Sequence, residues 1–224
     1  MTRGLYVLKR LRCKYTKGEE VKFISHLDLL RVVQRALRRA DIKVALTQGF
    51  NPHPRISFGP ALIVGATTEG DYMDIDLEEN ISPEEFKRRM NEVLPNGIRI
   101  VEVFEVDIKD SLSSKIKGAD YLVEVFLKKQ VENLGEAAEK FLSQDIIEIE
   151  KDTKKGKKLI NLKSYLEEFY LVDADEEKAK FYVKMKLGEG APNPLHLLKA
   201  FDKYLGNVFD LEYYKIHRKN MFLE

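Results

Sequence analysis

The sequence predicts an α+β chain of two tandem ferredoxin-like (βαββαβ) domains with mainly antiparallel sheets. Three observations predict it. In each half, segments of apolar/polar alternation are interleaved with two helical periods, in the order of a split βαβ unit. Three helix starts carry capping residues, which fixes where those helices begin. A stretch rich in Asp, Ser and Lys lies near the midpoint, giving an N-terminal domain at 1–107, a linker at 108–117 and a C-terminal domain at 118–224.

Residues 5–15 (LYVLKRLRCKY) alternate apolar and basic, first through Tyr6 and Leu8 and then on the other parity through Leu11, Cys13 and Tyr15. That is a half-buried strand. Ser25 is an N-cap with Asp28 three residues on, and Ile24 and Leu29 suit a hydrophobic staple. The helix they open runs to about Ala40, with Leu30, Val33 and Leu37 on one face and Arg31, Arg35 and Arg38 on another. Residues 43–47 read as a strand, 48–70 as a long irregular loop with Pro52, Pro54 and Pro60, and 71–77 as a strictly alternating strand. Ser82-Pro83 starts the second helix, which ends near Gly97, and 98–106 alternate again.

The second half follows a similar order. Strands are read at 120–128, 146–151, 159–163, 179–187 and 211–217, with helices at 131–143 and from Asn193-Pro194 to Gly206. A charged hairpin turn is expected at 152–158 around Gly156.

Composition narrows the function classes. An apolar fraction of 44% suffices for a buried core, and no uninterrupted apolar run reaches the roughly 18 residues of a membrane helix. The N-terminus lacks a secretory h-region. Cys13 is the single cysteine, too few for an internal disulfide or an iron–sulfur cluster. The expectation is a cytoplasmic protein with no cofactor and no metal of its own.

Net charge is +1, but it is unevenly distributed. Residues 1–60 hold thirteen bases against four acids, a surplus of nine. The next fifty reverse the sign, with Asp71, Asp74, Asp76, Glu78, Glu79, Glu84 and Glu85. A basic block is a candidate polyanion surface, unless folding interleaves the two blocks and cancels the field.

The loop Gln48-Gly49-Phe50-Asn51-Pro52-His53-Pro54-Arg55-Ile56-Ser57-Phe58 presents amides, a hydroxyl, an imidazole and a guanidinium between prolines. Prolines lower the entropy cost of presenting such groups, and long loops in compact domains are usually functional. Gln48, Asn51, His53, Arg55 and Ser57 are therefore candidate ligand- or RNA-binding residues. They are expected to share a cleft with His26 at the start of the first helix, where backbone N–H groups favour anions. On that reading Asn51→Ala and Arg55→Ala leave the melting temperature nearly unchanged. His26 and His53 lack the third ligand and close spacing of a metal site. His196, inside an apolar run, reads as a packed or surface residue. Asn161 with Lys163, and the basic end of the last strand through Arg218, read as sheet edges.

The segments KFISHLDLLRVVQRALRRADI, QGFNPHPRISFGPALIVGATTEGDYMDIDL and NLKSYL resemble the radical-SAM-linked family of unknown function. The resemblance covers about residues 5–105 most closely. It implies a small partner of a radical SAM protein, or a domain fused to one, associated with genes for ribosomal proteins and an RNA-processing nuclease. It carries no catalytic residue. The family's arginine–threonine near the last strand is Arg218-Lys219 here. The tandem architecture is also similar to repeat-processing endoribonucleases of CRISPR systems, without their glycine-rich C-terminal loop.

The function expected is a non-catalytic RNA-binding or substrate-presenting accessory protein for a radical SAM enzyme. Arg31, Arg35 and Arg38 would contact RNA, and Tyr6 or Tyr72 would stack bases if exposed. The alternative is a metal-independent endoribonuclease using His26 or His53, favoured if both histidines share a basic cleft. A protein-binding adaptor is favoured instead if the acids after Gly70 neutralise the basic block.

Overall fold

The computed structural model describes residues 8–153, 156–188 and 190–224. Strands and helices are mixed along the chain, and every strand pair with a resolved register is antiparallel. The described residues contain five α-helices, none long and apolar enough to cross a membrane. The chain divides into two compact units, residues 1–116 with 223–224 and residues 117–222.

In the first unit the elements are β1 (Lys9–Lys17), α1 (His26–Arg39), β2 (Ile56–Phe58), β3 (Thr67–Leu77), α2 (Pro83–Val93), β4 (Ile98–Val106) and the short α3 (Leu112–Lys115). The strands lie in the order β4-β1-β3-β2. Leu11, Cys13 and Tyr15 of β1 turn to the helices and join Leu29, Val33 and Leu37 of α1 and Phe86 and Met90 of α2 in one core. Burial pushes the Cys13 thiol far up, so it stays protonated and inert. The other parity of β1, Arg10, Arg12 and Lys14, turns to the opposite face beside Asp76, Asp74 and Tyr72 of β3.

Ser25 caps α1 as its spacing predicts. Its hydroxyl accepts from the Asp28 backbone N–H at 3.2 Å and donates to the Asp28 carboxylate at 2.7 Å. Lys17 fixes the approach to the helix. Its buried ammonium donates to the carbonyls of Lys22 at 2.8 Å, Ile24 at 3.3 Å and Ala66 at 3.5 Å. Desolvation lowers its pKa.

The strand expected at 43–47 reduces to two isolated bridges, Val44 with Leu77 and Leu46 with Pro54. The edge beside β3 goes instead to Ile56–Phe58, inside the expected loop. Thr47 and His53 close the intervening turn. The Thr47 N–H donates to the His53 carbonyl at 2.8 Å, and the His53 N–H donates to the Thr47 hydroxyl at 2.9 Å. Tyr6 lies outside the described residues, as does part of the expected 152–158 turn.

The second unit contains β5 (Ile116–Leu127, from Lys117 onward), α4 (Leu134–Leu142), β6 (Glu148–Thr153), β7 (Gly156–Asn161), β8 (Leu166–Ala174), β9 (Lys178–Lys186), α5 (Pro194–Tyr204) and most of β10 (Phe209–Leu223). β6 and β7 form a separate hairpin, and the remaining strands lie in the order β10-β5-β9-β8. β8 was not expected from the sequence. Its register slips between Leu166 and Glu168 and again between Leu171 and Asp173, which breaks the apolar period. Phe141, Phe169, Phe181, Phe201 and Phe209 form the aromatic core under α4 and α5. Asn193 and His196 form a capping box at the start of α5, so His196 serves the helix terminus.

Candidate nucleic-acid interface

The basic block is largely spent inside the first unit. Across the β1–β3 ladder, Arg12 forms a fork with Asp74, Nε to Oδ1 at 2.8 Å and Nη2 to Oδ2 at 2.9 Å. One step along, Arg10 forms the same fork with Asp76 at 2.6 and 3.0 Å. These hydrogen bonds hold both guanidinium groups above their ordinary pKa. Arg10 also donates to the Ile108 carbonyl at 2.7 Å, and Arg12 to the Asp110 carbonyl at 3.1 Å, so residues 108–110 are clamped over this face. Lys9 pairs with Glu105, Lys14 with Glu102, Lys22 with Glu19 and Arg31 with Asp28. The interleaving that cancels the field is therefore real on this sheet.

What survives lies on α1. Arg31, Arg35 and Arg38 are exposed at i, i+4 and i+7, spanning about 10 Å along one face. Arg31 is neutralised by Asp28 at 2.9 Å. Arg38 donates only to the Gln34 carbonyl of its own helix, at 3.4 Å. Arg35 makes no ion pair or hydrogen bond among the described residues. Arg39 donates to the Val93 carbonyl, which ties α1 to the end of α2. Arg38 and Arg39 sit in the last turn of α1, where the helix dipole favours cations.

The expected single cleft is not formed as drawn. The ring of His26 meets Phe58 edge-on, with centroids 5.3 Å apart, and Phe58 packs against the helix-side core. Arg55 turns the other way: its Nη2 lies 2.8 Å from Asp76 Oδ2, on the face that carries Arg10 and Arg12. Arg55 and His26 are thus on opposite faces of the sheet, separated by the alternation of β2 and β3. Ser57 is exposed and pairs in register with Asp74. Gln48 and Asn51 stand on the exposed turn closed by Thr47 and His53. No hydrogen bond, ion pair or ring contact joins His26 to His53 among the described residues.

Three aromatic features escaped the sequence reading. Phe50 projects from the tip of the 48–53 turn and is fully exposed. Phe23, before α1, is 73% exposed with the Lys22 ammonium 5.1 Å from its ring centre. Tyr170 and Tyr182 stack in the second unit, 4.9 Å apart. Tyr72, by contrast, is half-buried against Phe104, which makes it a poor stacking platform. Asn161 accepts from the backbone N–H groups of Ile147 and Lys163, both at 3.1 Å, so it braces a turn. Arg218 is buried over the Tyr121 ring, away from solvent. Among the described residues no three His, Cys, Asp or Glu side chains cluster as metal ligands do.

Fold and site together define a mixed α and β protein of two antiparallel-sheet units, with a neutralised strand face and a residual arginine face on one helix. The chain belongs to the family described as "uncharacterized protein conserved in bacteria" (DUF2344), whose family model matches residues 10–195. No curated protein matches it. Among solved structures it is similar to a chain of "Crystal Structure of a Cbf5-Nop10-Gar1 Complex", with 10% identity, 96% of this chain and 50% of that chain covered, and a TM-score of 0.51. It is also similar to a chain of "Structure of H/ACA RNP bound to a substrate RNA containing 2'-deoxyuridine", with 11% identity, coverage of 96% and 49%, and a TM-score of 0.47. The chain spans about half the length of these solved chains, and likeness at such identity concerns the fold.

Proposed function

We propose that this protein is a non-catalytic RNA-binding accessory protein that presents RNA to a radical SAM enzyme. The observation that carries the RNA reading is the pair Arg35 and Arg38, exposed on one face of α1 and without carboxylate partners where most neighbouring bases have one. Uncompensated guanidinium groups on a helix face suit phosphate oxygens. Gln48, Asn51 and His53 on the exposed turn would add directional hydrogen bonds, with Ser57 beside them. Arg55, held by Asp76, would act by shaping the strand that carries the turn. The radical SAM partner rests on the sequence resemblance alone. Each unit reads as a ferredoxin-like sandwich, for which the strand orders β4-β1-β3-β2 and β10-β5-β9-β8 are the support. The division at 1–107 and 118–224, joined by 108–117, goes with that reading.

One observation favours a second reading, a protein-binding adaptor: Asp74, Asp76, Glu102 and Glu105 neutralise the bases of β1. The endoribonuclease reading draws no support from the contacts of His26 and His53. The test is RNA binding by the chain, alone and with its partner, across a salt series. Arg35→Glu with Arg38→Glu is expected to weaken binding and flatten its salt dependence. Salt-independent binding, or none in either setting, overturns the RNA reading in favour of the adaptor.

A further inference from the structure

The second unit carries a surface that the arginine face does not explain. On β9 (KAKFYVKMK), Ala179, Phe181, Val183 and Met185 are buried toward the helices. The opposite parity places Lys178, Lys180, Tyr182, Lys184 and Lys186 in one row on the other face. Tyr182 lies directly across from Tyr170 of β8 and from Leu122 of β5. The two phenol rings stack, with centroids 4.9 Å apart and planes at 23°. Tyr170 is 45% exposed, so the stack ends in open solvent. Phe126 and Val172, also exposed, extend the apolar ground around it.

The stack is anchored. The Tyr182 hydroxyl donates to Asp120 Oδ2 at 3.2 Å, and the other Asp120 oxygen accepts from the Asn220 backbone N–H at 2.7 Å. The carboxylates near this row are accounted for. Glu168 and Glu167 approach Lys184 at 3.4 and 3.6 Å, and Glu124 pairs with Lys215 at 3.0 Å. Asp173 and Glu124 are the cross-strand neighbours of Lys180 on either side, and the charges of Lys178 and Lys180 also act on Glu124, as that of Lys178 does on Asp175. Lys178, Lys180 and Lys186 make no ion pair among the described residues. An aromatic platform of fixed orientation, flanked by lysines whose ammonium groups no carboxylate among the described residues holds in a close ion pair, matches unpaired bases joined by phosphates.

We propose that this sheet face of the second unit binds single-stranded RNA, with a base extending the Tyr170–Tyr182 stack and Lys178, Lys180 and Lys186 taking phosphates along the strand that carries it. The proposal rests on the RNA reading but not on the arginines of α1. A base reaches the stack only when unpaired, so a duplex is a poor ligand.

The test is fluorescence anisotropy of a labelled decauridine with the full chain. Tyr170→Ala is expected to weaken binding roughly tenfold, the loss of one base stack, while Tyr170→Phe retains affinity. Lys180→Ala with Lys186→Ala, both at the surface, is expected to lower the salt slope by about 1.4, and it stands as the second variant if Tyr170→Ala does not fold. An RNA duplex of equal length is expected to compete weakly. If Tyr170→Ala, folded, and the lysine variant bind as wild type while Arg35→Glu/Arg38→Glu loses affinity, this proposal falls and the function proposed above stands. If only the tyrosine and lysine variants lose affinity, this proposal stands and the α1 interface falls. If wild type ignores decauridine but a polyglutamate peptide binds in a Tyr170-dependent way, the face serves an acidic protein and the proposal is overturned. No decauridine binding at low salt overturns this proposal and leaves the function proposed above to its own test with the partner present.

Discussion

Arg12 and Asp74 meet in a two-point fork across β1 and β3, and both are almost fully buried, at 3% and 2% exposure. A buried charge without its partner is costly, whereas an apolar pair of similar volume is tolerated. Asp74→Leu alone is expected to destabilise the fold by about 3–5 kcal/mol. Combining it with Arg12→Met is expected to recover much of the loss. Urea unfolding of the two single variants and the double variant measures the coupling, and simple additivity would count against the fork as a unit.

Arg55→Ala is expected to lower stability by about 1 kcal/mol, because a half-exposed guanidinium leaves a buried carboxylate with one partner fewer. Arg10 still holds Asp76 through two hydrogen bonds, so Arg10→Ala is expected to cost more. Asn51→Ala, on the exposed turn, is expected to leave the melting temperature unchanged. This separates two residues that the sequence treats alike, and thermal melts of the three variants check it.

Tyr182 offers a pH signature. Burial, then the charge of Asp120 and the hydrogen bond to it, push its phenol up to about 12. The folded state therefore holds this proton more tightly than the unfolded chain, whose tyrosines lose theirs near pH 10. The stabilisation is complete below pH 10 and is lost as pH rises from 10 to about 12. In ultraviolet titration, the difference between wild type and Tyr182→Phe is expected near pH 12. A difference centred on pH 10 would mean that neither burial nor Asp120 acts on this hydroxyl.

Local signals carried much of the fold. The Ser25 cap, the Ser82-Pro83 start and the period of 98–106 place α1, α2 and β4 almost to the residue. The alternation of 179–187 even contained most of the lysine–tyrosine row, though nothing local shows that Tyr170 lies opposite. β8 stayed hidden because two register slips and Glu167-Glu168 disrupt its pattern. The strand at 43–47 misled because Val44 and Leu46 alternate properly, yet the chain turns at Thr47 to pair with His53. The candidate site was the least legible part. Residue type marks Arg55 as a cation, but only the β2–β3 register turns it toward Asp76 and away from His26.

The clamp on residues 108–110 has a consequence for the order of folding. Arg12 finds Asp74 at a sequence separation of 62, and Arg10 finds Asp76 at 66 and the Ile108 carbonyl at 98. Each contact closes a long stretch of chain before it returns any energy, and folding slows as such separations grow. The first unit cannot complete its polar face until nearly its whole length is available. Until then β1 carries guanidinium groups with neither a carboxylate nor a carbonyl to receive them.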